Sequence, residues 1–488
     1  MLNRMLSPVA ILLTLAGYVV LLLLVARLSV RRTSNSGFFT ADRRLAWYQL
    51  WPAMISAAMS GVTFVSVPGS VAADGFSYLQ MVAGFTVGQV VVAYWLVPLF
   101  YRWGYRSIYE YFGDRYGVVA HRSGGWFFFL SKLLSSALRL FVVVTVLQSL
   151  LFGVLGVSFG WSALLVVLVV WGYTFRGGVQ AVIAADWVKT LLMLAALVGT
   201  IYALITALDS SVGELWQSMW VDENSRIFFF DDPSSERYFW KMFVAGVVLL
   251  VAMTGLDQDM MQRNLACRSV RDAQRNILLT ALCQAVVIAL FLVLGWLLWR
   301  YAAVREIAVE GGGDSLFSEV AVSGGLPRWV GVLFVLGFAA ASFSSVGASL
   351  TALTTSFSVD VMGGKRLDEK QLERTRKVAH SAIALLLFGL VLCFGQWADE
   401  SAINLVYKVA SYTYGPILGL FLFGLWGRLR VRDGWVWLVV VVAPLLTALL
   451  QWSAERWWGY EIGFELLLYN AALVMVGLWL IRRPKATS

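Results

Sequence analysis

Apolar runs separated by short polar breaks recur along this chain from residue 8 to residue 481. A helix needs roughly 20 apolar residues to cross the hydrocarbon core, where lipid offers its backbone no hydrogen-bond partner. Thirteen runs fit that requirement: 8–28, 47–70, 76–101, 123–152, 157–174, 179–207, 239–256, 276–302, 327–359, 377–397, 403–426, 434–452 and 463–481. The pattern predicts an all-α integral membrane protein of about thirteen transmembrane helices. The first run lacks a small-residue cleavage site and is too long for a leader's apolar core, so it reads as a retained helix. Two runs stand apart, because the second and the ninth mix Gly, Ser, Thr and Pro into their apolar background. Interrupted helices at matching places in two halves point to a binding site at membrane depth.

Composition agrees with this reading. The 488 residues are 59% hydrophobic and 14% charged, and the mean hydropathy of +0.75 excludes an ordinary soluble domain. A net charge of +9 would suggest nucleic acid in a soluble protein, but in a membrane protein it reports basic cytoplasmic loops. Arg27, Arg31, Arg32, Arg43 and Arg44 make one basic stretch, and Arg102, Arg106, Arg115 and Arg122 a second. Arg428, Arg430 and Arg432, then Arg482, Arg483 and Lys485, continue the series. Acidic stretches run from Asp209 through Glu214, Asp222, Glu223, Asp231 and Asp232 to Glu236, and from Glu306 through Glu310 and Asp314 to Glu319. The alternation puts the N-terminus outside and the C-terminus in the cytoplasm of a multi-pass plasma (inner) membrane protein. Cys267, Cys283 and Cys393 lie in or beside apolar runs without paired spacing, so they read as packing residues.

At Tyr173-Thr174-Phe175-Arg176-Gly177-Gly178, followed by Ala181-Val182-Ile183 and Asp186, the chain resembles the sodium/solute symporter family. Asp257-Gln258-Asp259-Met260-Met261-Gln262-Arg263 is similar to the family's cytoplasmic motif after the seventh span. Ala339-Ala340-Ala341-Ser342-Phe343-Ser344-Ser345, closing at Asp360, resembles its small-residue helix, and Ser56 to Pro68 its broken first core helix. The resemblance implies a LeuT-type inverted repeat of five plus five core helices. It divides the chain into an extra N-terminal helix and linker (1–46), a ten-helix transport core (47–426), and two C-terminal helices with a tail (427–488).

Sodium is a hard cation that takes oxygen ligands. Ser344 and Ser345 share a helical face with Ala341 and Ala348, while Ser56, Ser60 and Thr63 form a second polar stripe near Gly61, Pro52 and Pro68. The resemblance implies a sodium site built from the carbonyls of Ser56, Met59 and Ala341 and the hydroxyls of Ser344 and Ser345. Close helix packing with hydroxyls bonded back to their own turn is the competing account of the same residues. Gly347 and Ala348 lack side-chain oxygen where some family members place a second sodium, so one Na+ is expected. Asp186, three residues before Lys189, has the spacing of an intrahelical ion pair and reads as structural or gating.

Arg139 lies mid-span in the fourth run, where a charge is costly unless it faces a cavity or an anion. Its planar fork of donors suits a carboxylate. In the sialic-acid-transporting branch of the family an arginine stands at the matching place, and hydroxyls match Ser60 and Thr63. Tyr78 and Gln80 complete the candidate substrate set. The expected activity is sodium-coupled uptake of a small solute by alternating access. A carboxylate or sugar acid such as sialic acid leads the candidates, with a neutral sugar, amino acid or vitamin, or a transport-linked sensor, as alternatives. An enzyme is not expected, because the two histidines, His121 and His380, both fall near cytoplasmic ends, and no pore-loop repeat suggests a channel. No nucleic acid and no obligate protein partner are expected.

Overall fold

A computed structural model describes residues 6–29, 46–105, 108–309, 312–362, 368–395, 402–426 and 429–483. Arg31, Arg32, Arg43, Arg44, Arg106, Glu310, Arg428 and Lys485 lie outside the described residues, as do the side chains of Arg176, Gly177, Gly178, Ala181 and Asp360.

The described residues fold as a succession of helices. Helix α1 (Pro8–Ser29) opens with Pro8 in the first turn, where a missing N–H costs nothing, and the Ser7 hydroxyl accepts from the Ala10 N–H at 3.2 Å. A first bent pair follows, α2 (Trp47–Ala58) and α3 (Gly61–Gly69), which meet at 52°. Next come α4 (Tyr78–Val91), α5 (Val118–Leu147) and α6 (Phe159–Ala207). The second bent pair is α7 (Phe239–Leu250), extended by a wider turn to Gly255, and α8 (Gln258–Leu265), at 66°. Then follow α9 (Val270–Val304), α10 (Gly313–Val322), α11 (Arg328–Ser356), α12 (Glu369–Phe394), α13 (Ala402–Trp426), α14 (Val436–Trp458) and α15 (Leu466–Leu480).

Among the described residues, nine helices are long and apolar enough to cross a membrane, two bent pairs pass the same test together, and Phe159–Phe175 and Leu466–Leu480 are shorter apolar helices. These segments fall on the thirteen runs of the sequence. The fifth and sixth runs are written as one helical run, α6, whose two apolar stretches both pack on α11. The Tyr173 hydroxyl donates to the Phe343 carbonyl at 2.8 Å while Asp186, further along, accepts from the neighbouring Ser344.

One expectation is corrected. The second helical break lies in the seventh run, not the ninth. Helix α11 runs unbroken from Arg328 to Ser356, with hydroxyls bonded back within the helix, Ser345 to Ser342 at 3.0 Å, Thr351 to Gly347 at 2.9 Å and Thr354 to Leu350 at 2.7 Å. Its small residues serve close approach instead. Gly347 faces the Tyr173 ring and Thr174, and Gly61 of α3 sits against Ser342, so a Cβ at either glycine would collide. Aromatic packing fixes α3 beside this helix: Phe64 stacks on Phe317 of α10 at 5.1 Å and meets Phe334 of α11 at 5.8 Å.

The two ends of the bundle differ in charge. At one end, the Phe76 N–H donates to the Arg226 carbonyl, the Trp296 indole donates to Asp222, and Gly69 abuts Gly313, which gathers the two acidic stretches together. At the other, Arg115 donates to the carbonyls of Gly424 and Leu429, Asp433 accepts from the N–H groups of Val119 and Ala120, and Arg483 bonds Arg430 through the backbone.

Candidate functional site

The break between α2 and α3 is organised by hydroxyls. Ser60 caps α3 by accepting from the Thr63 N–H at 3.3 Å, and Thr63 Oγ1 accepts in return from the Ser60 N–H at 3.3 Å. This reciprocal cap uses the N–H that would otherwise continue α2, so the last carbonyls of α2 point into the interior without their helical partners.

The break between α7 and α8 is organised by charge. Asp257 accepts from the N–H groups of Asp259 at 2.8 Å and Met260 at 3.2 Å, which caps α8. Lys132 of α5 pairs with Asp257 and with Asp259, each at 3.1 Å, and the Tyr414 hydroxyl of α13 donates to Asp257. Arg263 then bridges Asp259 at 3.3 Å and Asp186 at 2.8 Å, and also donates to the Ala53 carbonyl at 3.2 Å. Asp186 in turn accepts from the hydroxyls of Ser56, at 2.8 Å, and Ser344. A continuous chain of ion pairs therefore links α5, α8 and α6 to the first break and to α11. The run Asp257 to Arg263, expected as a cytoplasmic motif beyond its span, is instead the buried second half of a bent helix: Asp257 and Arg263 are 3% and 4% exposed. Its charged residues find partners 77 to 210 positions away, on other helices, which makes burial affordable there.

A cavity lies between the two breaks. Ser60, Thr63, Arg139 and Ser345 line it, so four of the sequence candidates are brought together. Arg139 makes no hydrogen bond and no ion pair with the described residues. Tyr78 stands one layer behind, its hydroxyl 2.7 Å from that of Tyr407, which does reach the cavity. Gln80 is not brought to the site. Its amide donates to the Arg237 carbonyl at 2.9 Å and accepts from the Phe229 N–H at 3.0 Å, tying α4 to the acidic loop.

Two of the five positions expected around sodium are brought together. Ser56 and Ser344 meet on one Asp186 oxygen, and a hydroxyl that donates to a carboxylate keeps its lone pairs free for a cation. Ser345 is nearby but donates to its own helix. The anticipated pair between Asp186 and Lys189 does not form: no ion pair joins them, and Asp186 takes Arg263 as its cation while Lys189 donates to the Ser56 carbonyl.

Sequence reading passed over Lys132, Gln89 and Gln284, all on the cavity wall, the last two joined by a 2.7 Å hydrogen bond. The signal was present for Lys132, because an ionisable residue inside an apolar run marks a site as surely as Arg139 does.

The model of the sodium:solute symporter family matches residues 38–439. The chain belongs to the sodium:solute symporter family. It is 25% identical to the human sodium/iodide cotransporter, over 80% of this chain and 61% of that protein. A rabbit sodium-dependent multivitamin transporter is 25% identical over 79% and 60%, and the sodium/sialic acid symporter SiaT of Proteus mirabilis 21% identical over 89% and 88%. The chain thus spans about 60% of the length of the first two relatives. Among solved structures, a Na+-coupled sialic acid symporter in a substrate-bound outward-open state superposes with a TM-score of 0.81 at 18% identity, covering 96% of this chain and 97% of that one. A nucleobase-cation-symport-1 family transporter gives 0.56 at 14% identity over 91% and 93%. The chain therefore has the LeuT-type fold, with its two bent helices heading the two repeats.

Proposed function

We propose that this family member is a secondary active carrier that takes up a small organic anion, a carboxylate or sugar acid, together with one sodium ion. The observation that carries this reading is Arg139, a guanidinium in the fourth apolar run that lines the cavity and forms no ion pair among the described residues. A carboxylate supplies the missing charge and matches the guanidinium's fork. Ser60, Thr63 and Tyr407 offer hydroxyls to the rest of the solute. Sodium is assigned to the carbonyls of Ser56, Met59 and Ala341 with the hydroxyls of Ser344 and Ser345, and Asp186 to a structural or gating role behind them. The absence of side-chain oxygen at Gly347 and Ala348 supports a single ion.

The transport core is assigned to residues 47–426. The segregation of acidic and basic ends supports a basic face in the cytoplasm of the plasma membrane, with the N-terminus outside and the C-terminus inside. Gating is assigned to the first bent helix, which moves against the ion-pair chain through Lys132, Asp259 and Arg263.

The test compares binding of an acid with that of its neutral amide, in purified wild type and in Arg139→Lys. Wild type should prefer the acid, and Lys, which keeps the charge but loses the bidentate geometry, should bind it at least about tenfold more weakly. Equal binding of acid and amide by wild type, or a variant that loses stability alone, removes the carboxylate assignment.

A further inference from the structure

We propose that Lys189 is a tethered cation that holds the sodium place in the ion-free protein, so that sodium enters by displacing its ammonium from the Ser56 carbonyl. The inference rests on the sodium-coupled reading above and concerns how that same site is filled.

Ser56 lies in the last turn of α2, where a carbonyl looks for an N–H four residues on. That N–H belongs to Ser60, and it donates to Thr63 Oγ1 instead. The Ser56 carbonyl is thereby left at the negative end of a broken half-helix, facing inward, which is the arrangement that attracts a coupling ion. In this chain a side chain has arrived there first. Lys189 of α6 is fully buried, at 0% exposure, and its Nζ donates to that carbonyl. Among the described residues no carboxylate comes within ion-pair distance of Nζ, because the nearest acid along the helix, Asp186, is taken by Arg263. A buried ammonium held by a carbonyl and a helix end, with no acid in contact, stands where a small inorganic cation would stand.

The charges around it call for one cation and not two. Counted as ionised, the chain of pairs has three carboxylates, Asp186, Asp257 and Asp259, against two cations, Lys132 and Arg263. Lys189 supplies the third positive charge from the side of the Ser56 carbonyl. Sodium on the same oxygen would do the same, and two cations on one carbonyl repel each other strongly in a dry site. Occupancy by one therefore excludes the other. The long flexible stem of lysine lets Nζ withdraw while Cα stays in place, so the exchange needs no movement of α6. While Nζ is in place it fastens α2 to α6; when sodium replaces it, that fastening passes to an ion able to leave, which links sodium entry to freedom of the first bent helix.

The experiment titrates sodium chloride, against choline chloride as control, into purified wild type, Lys189→Met and Lys189→Arg, and follows tryptophan fluorescence and thermal unfolding. Removing a competitor that fills the place nine-tenths of the time tightens apparent sodium binding about tenfold. Lys189→Met should show that gain and a larger sodium-dependent rise in melting temperature than wild type, whereas Lys189→Arg should bind sodium no better than wild type. Should the Met protein fail to fold, Lys189→Gln, a neutral donor for the same carbonyl, carries the same expectation. A wild type that ignores sodium beside a Met variant that binds it overturns both the displacement and the sodium-coupled reading, because the ammonium then blocks the place instead of yielding it. Equal sodium affinity in wild type and the neutral variant overturns the placeholder but leaves sodium coupling standing. Indifference of both proteins to sodium overturns the placeholder and the sodium-coupled reading together.

Discussion

The two bent helices occupy matching places in the two repeats, yet they solve the same problem with opposite chemistry. Each break exposes the N–H groups of a new helix in the interior of the bundle, and each needs an acceptor there. Between α2 and α3 the acceptors are neutral, the hydroxyls of Ser60 and Thr63. Between α7 and α8 the acceptor is the carboxylate of Asp257, which brings Lys132, Tyr414 and, through Asp259, Arg263 with it. A neutral break leaves carbonyls and hydroxyls available to a solute or an ion. A charged break is held on several sides and serves as the anchor against which the first can move.

The sharpest way to break this comparison is to remove the cation that joins the two breaks. Arg263→Ala leaves Asp186 as a buried carboxylate without a cation, while Asp259 keeps Lys132, and loss of one partner of a buried pair costs about 3–5 kcal/mol. Purified protein should show a large fall in melting temperature and membrane yield for any solute. A variant with the stability of wild type would mean that the network is a surface-like set of pairs and not the anchor.

The sequence carried much of this and concealed a specific part. A lipid-exposed crossing in an all-α chain must be a helix, so the thirteen apolar runs reappear among the described residues as nine long helices, two bent pairs and two shorter apolar helices. The opposed charge of the two ends was legible for the same reason, because loops are short and keep their own residues. The second break was not, since Asp257-Gln258-Asp259 followed by Gln262-Arg263 has the polarity of a loop by any local measure. What buries it is Lys132, Asp186 and Tyr414, which come from three other helices, and no local pattern encodes that meeting. The ninth run misled in the opposite direction. Gly and Ser there suggested a break, but Ser345 closes on its own turn, Ser344 turns to Asp186, and the glycine at 347 makes room for Tyr173. Gln80, polar and near the right depth, was drawn off by a loop whose path the sequence does not give. At Lys189 the spacing predicted a pair with Asp186, and a stronger rival, Arg263, took the acid.

A smaller effect separates the charge of the second break from its capping. Asp257→Asn keeps an oxygen for the N–H groups of Asp259 and Met260 but withdraws the charge from Lys132, which retains Asp259 at 3.1 Å. Weakening one charged hydrogen bond of two costs roughly 1.5–3 kcal/mol. The variant should fold, melt several degrees lower and transport more slowly, measured as solute uptake into proteoliposomes at matched protein. If uptake is unchanged while stability falls, the charge at the second break is scaffold alone and has no part in gating.

The smallest effect is expected at the first break, and it tests whether a neutral cap is as replaceable as the comparison claims. Ser60→Ala removes the hydroxyl that accepts from Thr63, a loss of about 1 kcal/mol for a helix cap. Half of the reciprocal cap survives, because the backbone N–H of residue 60 still donates to Thr63 Oγ1. No charge is left unpaired, and the neighbouring helix is held by Phe64 among Phe317 and Phe334 regardless of the cap. In a protein of this size the melting temperature should therefore move by about 2 °C or less. Affinity is a different matter, since Ser60 also lines the cavity. Losing one hydroxyl contact should weaken solute binding between about twofold and tenfold. Isothermal titration with the preferred acid, beside a melting curve of the same preparation, reads both quantities. A variant destabilised as much as Asp257→Asn would show that hydroxyls anchor the first break as firmly as carboxylates anchor the second, and the division of labour between the two bent helices would fail.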